Sequence, residues 1–303
     1  MKLNVQGLGF TLESGGNAIL TATPEQPLIY VGYGEEDVLM YCGNYKIEDF
    51  VIERKALAIT CIEEIECGLL IDFQGELQME VLIHGDLAEI KFKNADPKIN
   101  RFWIRTNSTK EEHIYGCGEQ MSYFDLKGRH FPLWTSEPGV GRDKSTYITW
   151  KRDVEGMAGG DYYNTNFPQP TYVSSNKYYL HVQTTAYADF DFRNDNFNEL
   201  QIWEIPEFIR IEAADSFQEL LTKESSFFGR QPELPEWIYN GLIIGAQGGN
   251  DRSFGILDKS LEKGIKVSGL WCQDWCGKRI TSFGKRLQWD WHFHEEMYPN
   301  LPD

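Results

Sequence analysis

The sequence predicts an α+β chain in two parts. Residues 1–230 read as an antiparallel β-sandwich, and residues 231–303 as the first βα units of an incomplete eight-stranded (β/α) barrel. Three observations predict this. Short runs of branched and aromatic residues, several alternating with polar ones, fill most of the chain. A stiff connector, Gln231-Pro-Glu-Leu-Pro, then breaks the pattern. One strand–helix–strand unit follows it.

In chain order, the first part offers strands at 10–12, 18–22, 28–31, 69–73, 77–83 and 88–92. Ser14-Gly-Gly-Asn, Gly32-Tyr-Gly, Gly75 and Gly85-Asp lie between them as turn signals. Further strands are expected at 102–105, 147–150, 178–182, 188–192 and 208–211. Many strands with few helical stretches suit a large antiparallel sandwich. Ser216 with Glu219 forms a capping-box pattern, and Phe217, Leu220, Leu221, Phe227 and Phe228 recur behind it at helical spacing until Gly229.

In the second part, Leu242-Ile-Ile-Gly is a short apolar strand. Asn250-Asp251 is placed to cap a helix carrying Phe254, Leu257 and Leu261, which Gly264 closes. Val267-Ser-Gly-Leu-Trp is the second strand. A crossover of this kind makes the two strands parallel, and parallel strands are normally buried. A complete barrel needs roughly 250 residues, so this part is expected to be truncated.

Lys and Arg number 29 against 46 Asp and Glu, a net charge of −17, which disfavours nucleic acid and acidic membrane surfaces as partners. Aromatic residues make up 14% of the chain, as in proteins that stack rings on sugars; a large aromatic β core explains that count equally well. Residues 1–10 hold no apolar run, and no stretch approaches the ~18–20 apolar residues of a membrane span. Cys42, Cys61, Cys67, Cys117, Cys272 and Cys276 are scattered, as in reduced proteins. A cytoplasmic protein is expected. Cys272 and Cys276 lack further zinc-spaced partners.

In a barrel, residues just past the strand ends line the site. Here those are Gly245-Ala-Gln247-Gly-Gly and Trp271-Cys-Gln273-Asp274-Trp275. Amides suit a polyhydroxylated ligand, because Gln supplies both donor and acceptor. They are equally suited to bonding their own turn. Lys278, Arg279, Lys285 and Arg286 then gather positive charge in an acidic chain, followed by Trp289-Asp-Trp291. A basic loop beside a pocket fits an anionic group, with Arg offering a planar fork and an indole N–H adding a donor; a solvated loop is the plainer reading. The stretch from Tyr115 to Arg142, with Glu119, Gln120 and Trp134, is long, glycine-punctuated and aromatic, as functional loops often are. No phosphate-loop, nucleophile-elbow or zinc-protease motif occurs, and the six histidines pair with no nucleophile.

Tyr115-Gly-Cys-Gly-Glu-Gln, Arg230-Gln-Pro-Glu-Leu-Pro-Glu-Trp-Ile-Tyr, Gln247-Gly-Gly, Trp271-Cys-Gln-Asp-Trp and Phe283-Gly-Lys-Arg-Leu-Gln-Trp-Asp-Trp together resemble the N-terminal portion of glycoside hydrolase family 31, in its sulfoquinovosidase branch. The resemblance is close over residues 100–303 and looser over 1–100. It implies a galactose-mutarotase-like sandwich before a barrel, and a small-molecule α-sulfoquinovoside as substrate. It also implies no cofactor and no metal, and leaves the oligomeric state open. It places Gln247 and Gln273 on sugar hydroxyls and Arg286 and Trp289 on the sulfonate, with Glu119, Gln120 and Asp274 as further candidates. Retaining hydrolysis uses two carboxyl groups about 5–5.5 Å apart. In the family both are Asp on later barrel strands, and no position here matches either motif, so no catalytic residue is assigned and the chain alone is expected to be inactive. The alternatives are a non-catalytic carbohydrate-binding sandwich and a family 31 α-glucosidase or α-xylosidase.

Overall fold

A computed structural model describes residues 1–41, 43–281 and 284–301. Cys42 and Phe283, both named above, lie outside the described residues. The chain forms two compact units, Met1–Gly229 and Arg230–Asp303.

The first unit is built from two large antiparallel sheets and a small three-stranded one. The six-stranded sheet runs in the order His130–Leu133, Ala188–Asp191, Phe197–Ile202, Arg101–Asn107, Ile29–Tyr41, Asn44–Ala56. The eight-stranded sheet runs Ile114–Gly118, Pro168–Ser174, Tyr178–Gln183, Phe208–Ala213, Leu87–Lys93, Leu77–His84, Gly68–Phe73, Cys61–Ile65. Period-two alternation explains their pairing. Leu77, Met79 and Val81 are buried while Gln78 and Glu80 face outward, and Ile209, Ile211 and Ala213 do the same on another strand. Ile71, Met79 and Ile90 of one sheet share a single core cluster with Phe102, Phe190 and Leu200 of the other. Burial on this scale contributes about 25 cal/mol per Å² of apolar surface.

The strand expected at 28–31 runs on to Tyr41, through the Gly32-Tyr-Gly expected as a turn, and Asn44–Ala56 is a strand where none was expected. Ile29–Tyr41 pairs with Arg101–Asn107 only from Ile29 to Gly32; from Tyr33 it pairs only with Asn44–Ala56, as a two-stranded ribbon. Gly43 at the ribbon tip has φ +82, and its carbonyl accepts from the Glu137 N–H at 2.9 Å. A Cβ there would also lie 2.8 Å from Cγ of Glu137, so glycine is required twice over.

The expected strand at 147–150 is instead the start of an α-helix, Tyr147–Gly156. Four alternating residues cannot distinguish the two periods. The Asp143 carboxylate accepts from the Ser145 N–H and turns the chain, and the Trp150 N–H then donates to the Thr146 carbonyl, which sets the helical register. Half of the capping box forms: Ser216 accepts from the Glu219 N–H at the start of helix Phe217–Phe228, while the Glu219 carboxylate pairs with Lys223.

In the second unit, Leu242–Ala246 and Val267–Cys272 pair in parallel, joined by helix Asn250–Glu262. Asn250 is not the cap. It lies within the first turn, and its side-chain amide donates to the Pro299 carbonyl at 2.9 Å. Nor are the strands buried: Leu242 is 59% exposed and Trp271 67%. One crossover helix can cover only one face of a two-stranded sheet, which leaves the other apolar face open.

Candidate functional site

The two strand ends of the second unit frame a shallow cavity of about 480 Å³, lined by Gly245, Ala246, Gln247 and Arg252, with Ile256, Trp271 and Gln273 completing its wall. Parallel pairing sets Gly245 beside Trp271 and Ala246 beside Cys272, so the next residues of both strands emerge at one edge. Gln247 and Gln273 meet there, Nε2 of Gln247 donating to Oε1 of Gln273 at 2.7 Å. One amide hydrogen bond uses one donor and one acceptor site. The remaining hydrogen-bonding positions of both amides stay available to a hydroxylated ligand. Arg252 and Ile256 reach the same cavity from one face of the crossover helix, at i, i+4 spacing. That spacing is visible in the sequence, but it acquires meaning only once the helix is docked.

Asp274 is not part of that lining. Its side chain is fully buried and holds protein groups. One oxygen accepts from the Gly248 N–H at 2.9 Å and pairs with Nζ of Lys278 at 3.1 Å; the other accepts from the Tyr298 hydroxyl. Burial alone would push this carboxyl up, but the bonds from Tyr298, Lys278 and Gly248 outweigh it and hold the group below its ordinary range. Burial, with the neighbouring carboxylate, pushes the Tyr298 hydroxyl up to about 12. Asp274 thus ties the turn after one strand to the turn after the other. Gly249 lies within this knot at φ +88, where a Cβ would meet the Met297 carbonyl at 2.7 Å.

The basic segment is a β-hairpin, Lys278–Thr281 with Gly284–Leu287. Its register sorts the four cations. Lys278 is spent on Asp274, and Lys285 lies opposite Ile280. Arg279 lies directly opposite Arg286. Directly opposed residues of a two-stranded ribbon share a face, so both arginines, each exposed, lie on one face of the hairpin. Among the described residues neither arginine is in an ion pair. Trp289 follows the hairpin and is 55% exposed. Arg286 and Trp289 do not line the cavity that holds the two glutamines. The sequence shows Arg279 only as one of four clustered cations, because nothing local marks its pairing with Arg286.

Glu119 and Gln120 belong to the first unit. Glu119 is exposed, while Gln120 donates to the Cys117 carbonyl at 2.9 Å and leaves its Oε1 buried without a donor. Cys61, Cys67, Cys117, Cys272 and Cys276 are unpaired, and among the described residues no group of three or more His, Cys, Asp or Glu gathers at metal-binding distance. No described helix is long and apolar enough to cross a membrane.

No family model matches the chain. Individual proteins do. The chain is 52% identical to a sulfoquinovosidase of Agrobacterium fabrum over 97% of its own length and 44% of that protein's. It is 45% identical to a sulfoquinovosidase of Escherichia coli over 96% of its length, again 44% of the relative's. Among solved structures, it matches a glycoside hydrolase family 31 sulfoquinovosidase from E. rectale, solved in complex with the aza-sugar inhibitor IFGSQ, at 60% identity and a TM-score of 0.95. That match covers all of this chain and 45% of the other. The chain therefore spans under half the length of the relatives it matches.

Proposed function

From the relationship of this chain to the sulfoquinovosidases of glycoside hydrolase family 31, we propose that it forms part of a retaining α-glycosidase that hydrolyses α-sulfoquinovosides. The first unit is then a mutarotase-like supporting sandwich. The second is the opening of a (β/α) barrel, carrying sugar-recognition residues at its strand ends. Gln247 and Gln273 bind ring hydroxyls. Arg286 and Trp289 hold the sulfonate, and Arg279 strengthens the positive field beside them.

The observation that carries this reading is the opposed pair Arg279 and Arg286. Like charges directly across a ribbon repel, and an anion seated between them turns that repulsion into attraction. The sulfonate is the one permanently anionic group of the proposed substrate. The two-glutamine edge supplies the neutral half of the recognition.

Asp274 shapes the edge without touching the ligand. The two carboxyl groups that retaining hydrolysis needs have no counterpart here, and this chain supplies binding rather than bond cleavage. The experiment uses a protein carrying this chain at the full length of its relatives. Its kcat/KM is measured on 4-nitrophenyl α-sulfoquinovoside and on 4-nitrophenyl α-glucoside, with and without Arg286→Ala. A loss confined to the sulfonated substrate is expected. Equal losses on both would remove Arg286 from sulfonate binding. Turnover of the sulfonated substrate by residues 1–303 alone would overturn the division of labour.

A further inference from the structure

The first unit has a cavity of its own, which the proposed function does not use. It lies within the first unit, has a volume of about 650 Å³, and is enclosed between the ribbon tip, the edge strand His130–Leu133, strand Ala188–Asp191 and the loop that carries helix Tyr147–Gly156. The ribbon and the edge strand belong to opposite margins of the same sheet. The bond from the Glu137 N–H to the Gly43 carbonyl ties the ribbon tip to the loop.

Its chemistry is specific. Trp134 is flanked by Tyr163, with ring centroids 5.9 Å apart, and by Tyr187, at 5.8 Å, which gives an aromatic floor of three rings. Tyr187 is backed in turn by Trp203 at 4.2 Å, so its ring is held. Among the described residues neither the Tyr163 nor the Tyr187 hydroxyl has a hydrogen-bond partner. Unspent polar groups around a cavity are the mark of a site awaiting a ligand or ordered water.

The charged groups of the wall are spent. Nζ of Lys46 lies 2.6 Å from Glu48, Nζ of Lys144 lies 3.1 Å from Asp153, and Nδ1 of His130 lies 3.1 Å from Asp189. Both lysines of the wall face carboxylates and His130 is hydrogen-bonded to Asp189, so the wall presents no free lysine to an anion. Flat rings with free hydroxyls and balanced charge suit a neutral saccharide. Its C–H faces stack on the rings, and its hydroxyls pair with the tyrosines.

We propose that this cavity, built wholly from residues of the first unit, binds a neutral sugar unit. The proposal does not depend on the substrate of the other unit.

The test uses the 303-residue chain with maltotriose as the neutral probe and sulfoquinovose as the anionic one. Binding is followed by saturation-transfer NMR and tryptophan fluorescence. Saturable maltotriose binding with a Kd in about the millimolar range is expected, as is usual for a small ligand on a shallow aromatic surface. The double variant Tyr163→Phe/Tyr187→Phe keeps both rings and removes both hydroxyls, and should weaken that binding by about tenfold. Gln247→Ala should leave it unchanged. If the double variant does not melt cooperatively, maltotriose is soaked into crystals of the unaltered chain, and electron density over Trp134 is the expected result. Absence of saturable binding, loss of binding in Gln247→Ala, an unchanged affinity in a folded double variant, displacement of bound maltotriose by sulfoquinovose, or density seen elsewhere would each overturn the proposal.

Discussion

The side-chain amide of Gln247 donates to Oε1 of Gln273 at 2.7 Å, across the ends of two parallel strands whose residues are 26 apart in sequence. The bond fixes which face each amide turns outward. Gln273→Glu keeps an acceptor for Gln247 and preserves shape, but adds a negative charge where the proposed sulfonated sugar would approach. Binding of sulfoquinovose, measured by calorimetry, is expected to fall at least tenfold, about 1.4 kcal/mol. The melting temperature should barely move.

The opposed arginines predict a trade between local stability and binding. Arg279→Gln removes a like-charge contact, which should leave the hairpin unchanged or stabilise it by a few tenths of a kcal/mol. The same change should weaken sulfonate binding and make what remains less sensitive to salt. Arg286→Ala should cost the sulfonated substrate about 2 kcal/mol or more in kcat/KM, if the guanidinium contacts that group directly. Titrations at low and high ionic strength check both. An Arg279→Gln variant with wild-type affinity at every salt concentration would confine the clamp to Arg286.

Asp274 predicts a stability effect. Asp274→Asn keeps the size but loses the charge that offsets Lys278, and it places an amide against the Tyr298 hydroxyl and Gly248 N–H. A loss of about 2–3 kcal/mol is expected, below that of a fully buried pair because Lys278 is partly solvated. Hydrogen exchange of the second unit's backbone amides across a denaturant series measures it.

The same group sets a pH dependence. The folded carboxyl of Asp274 lies below its ordinary range. Its contribution is therefore present in full above the unfolded value near 3.8 and lost as pH falls through the lower folded value. Tyr298 acts at the other end. Its hydroxyl is raised from 10.0 to about 12, so its contribution is full below 10 and lost as pH rises toward 12. Tyr298→Phe should flatten the alkaline limb of a stability–pH curve without changing its acid limb beyond the loss of one bond to Asp274.

Arg101 secures the ribbon that walls the large cavity. It is buried over the Trp203 ring at 4.1 Å, and it donates to Asp49 and to Glu36, both on ribbon strands, at 2.9 Å. Arg101→Ala would leave Asp49 without its buried counter-charge and should destabilise the first unit by about 3 kcal/mol. Limited proteolysis should then cut the ribbon first, between Tyr33 and Glu53, and maltotriose binding should weaken in the folded fraction.

Local patterning determined the parts of this protein that depend on near neighbours in the chain. Alternation at Leu77, Met79 and Val81 marks a strand with one buried face. Ser216 and Glu219 mark a helix start. The sequence between Leu242 and Trp271 reads as two parallel strands joined by a helix, which places Gln247 and Gln273 at one edge. The excess of cations from Lys278 to Arg286 is equally plain. Tertiary structure decided what each of those cations does. Only the hairpin register opposes Arg279 to Arg286, and only the fold of the strand-end turns buries Asp274 against Lys278 and Tyr298. It also decided the helix at Tyr147–Gly156, where four residues are too few to separate the two periods, and the long ribbon whose tip closes on Glu137. The division follows from range. Periodicity and capping act over a few residues, whereas pairing register and burial join positions far apart in the chain, and no local pattern encodes the partner.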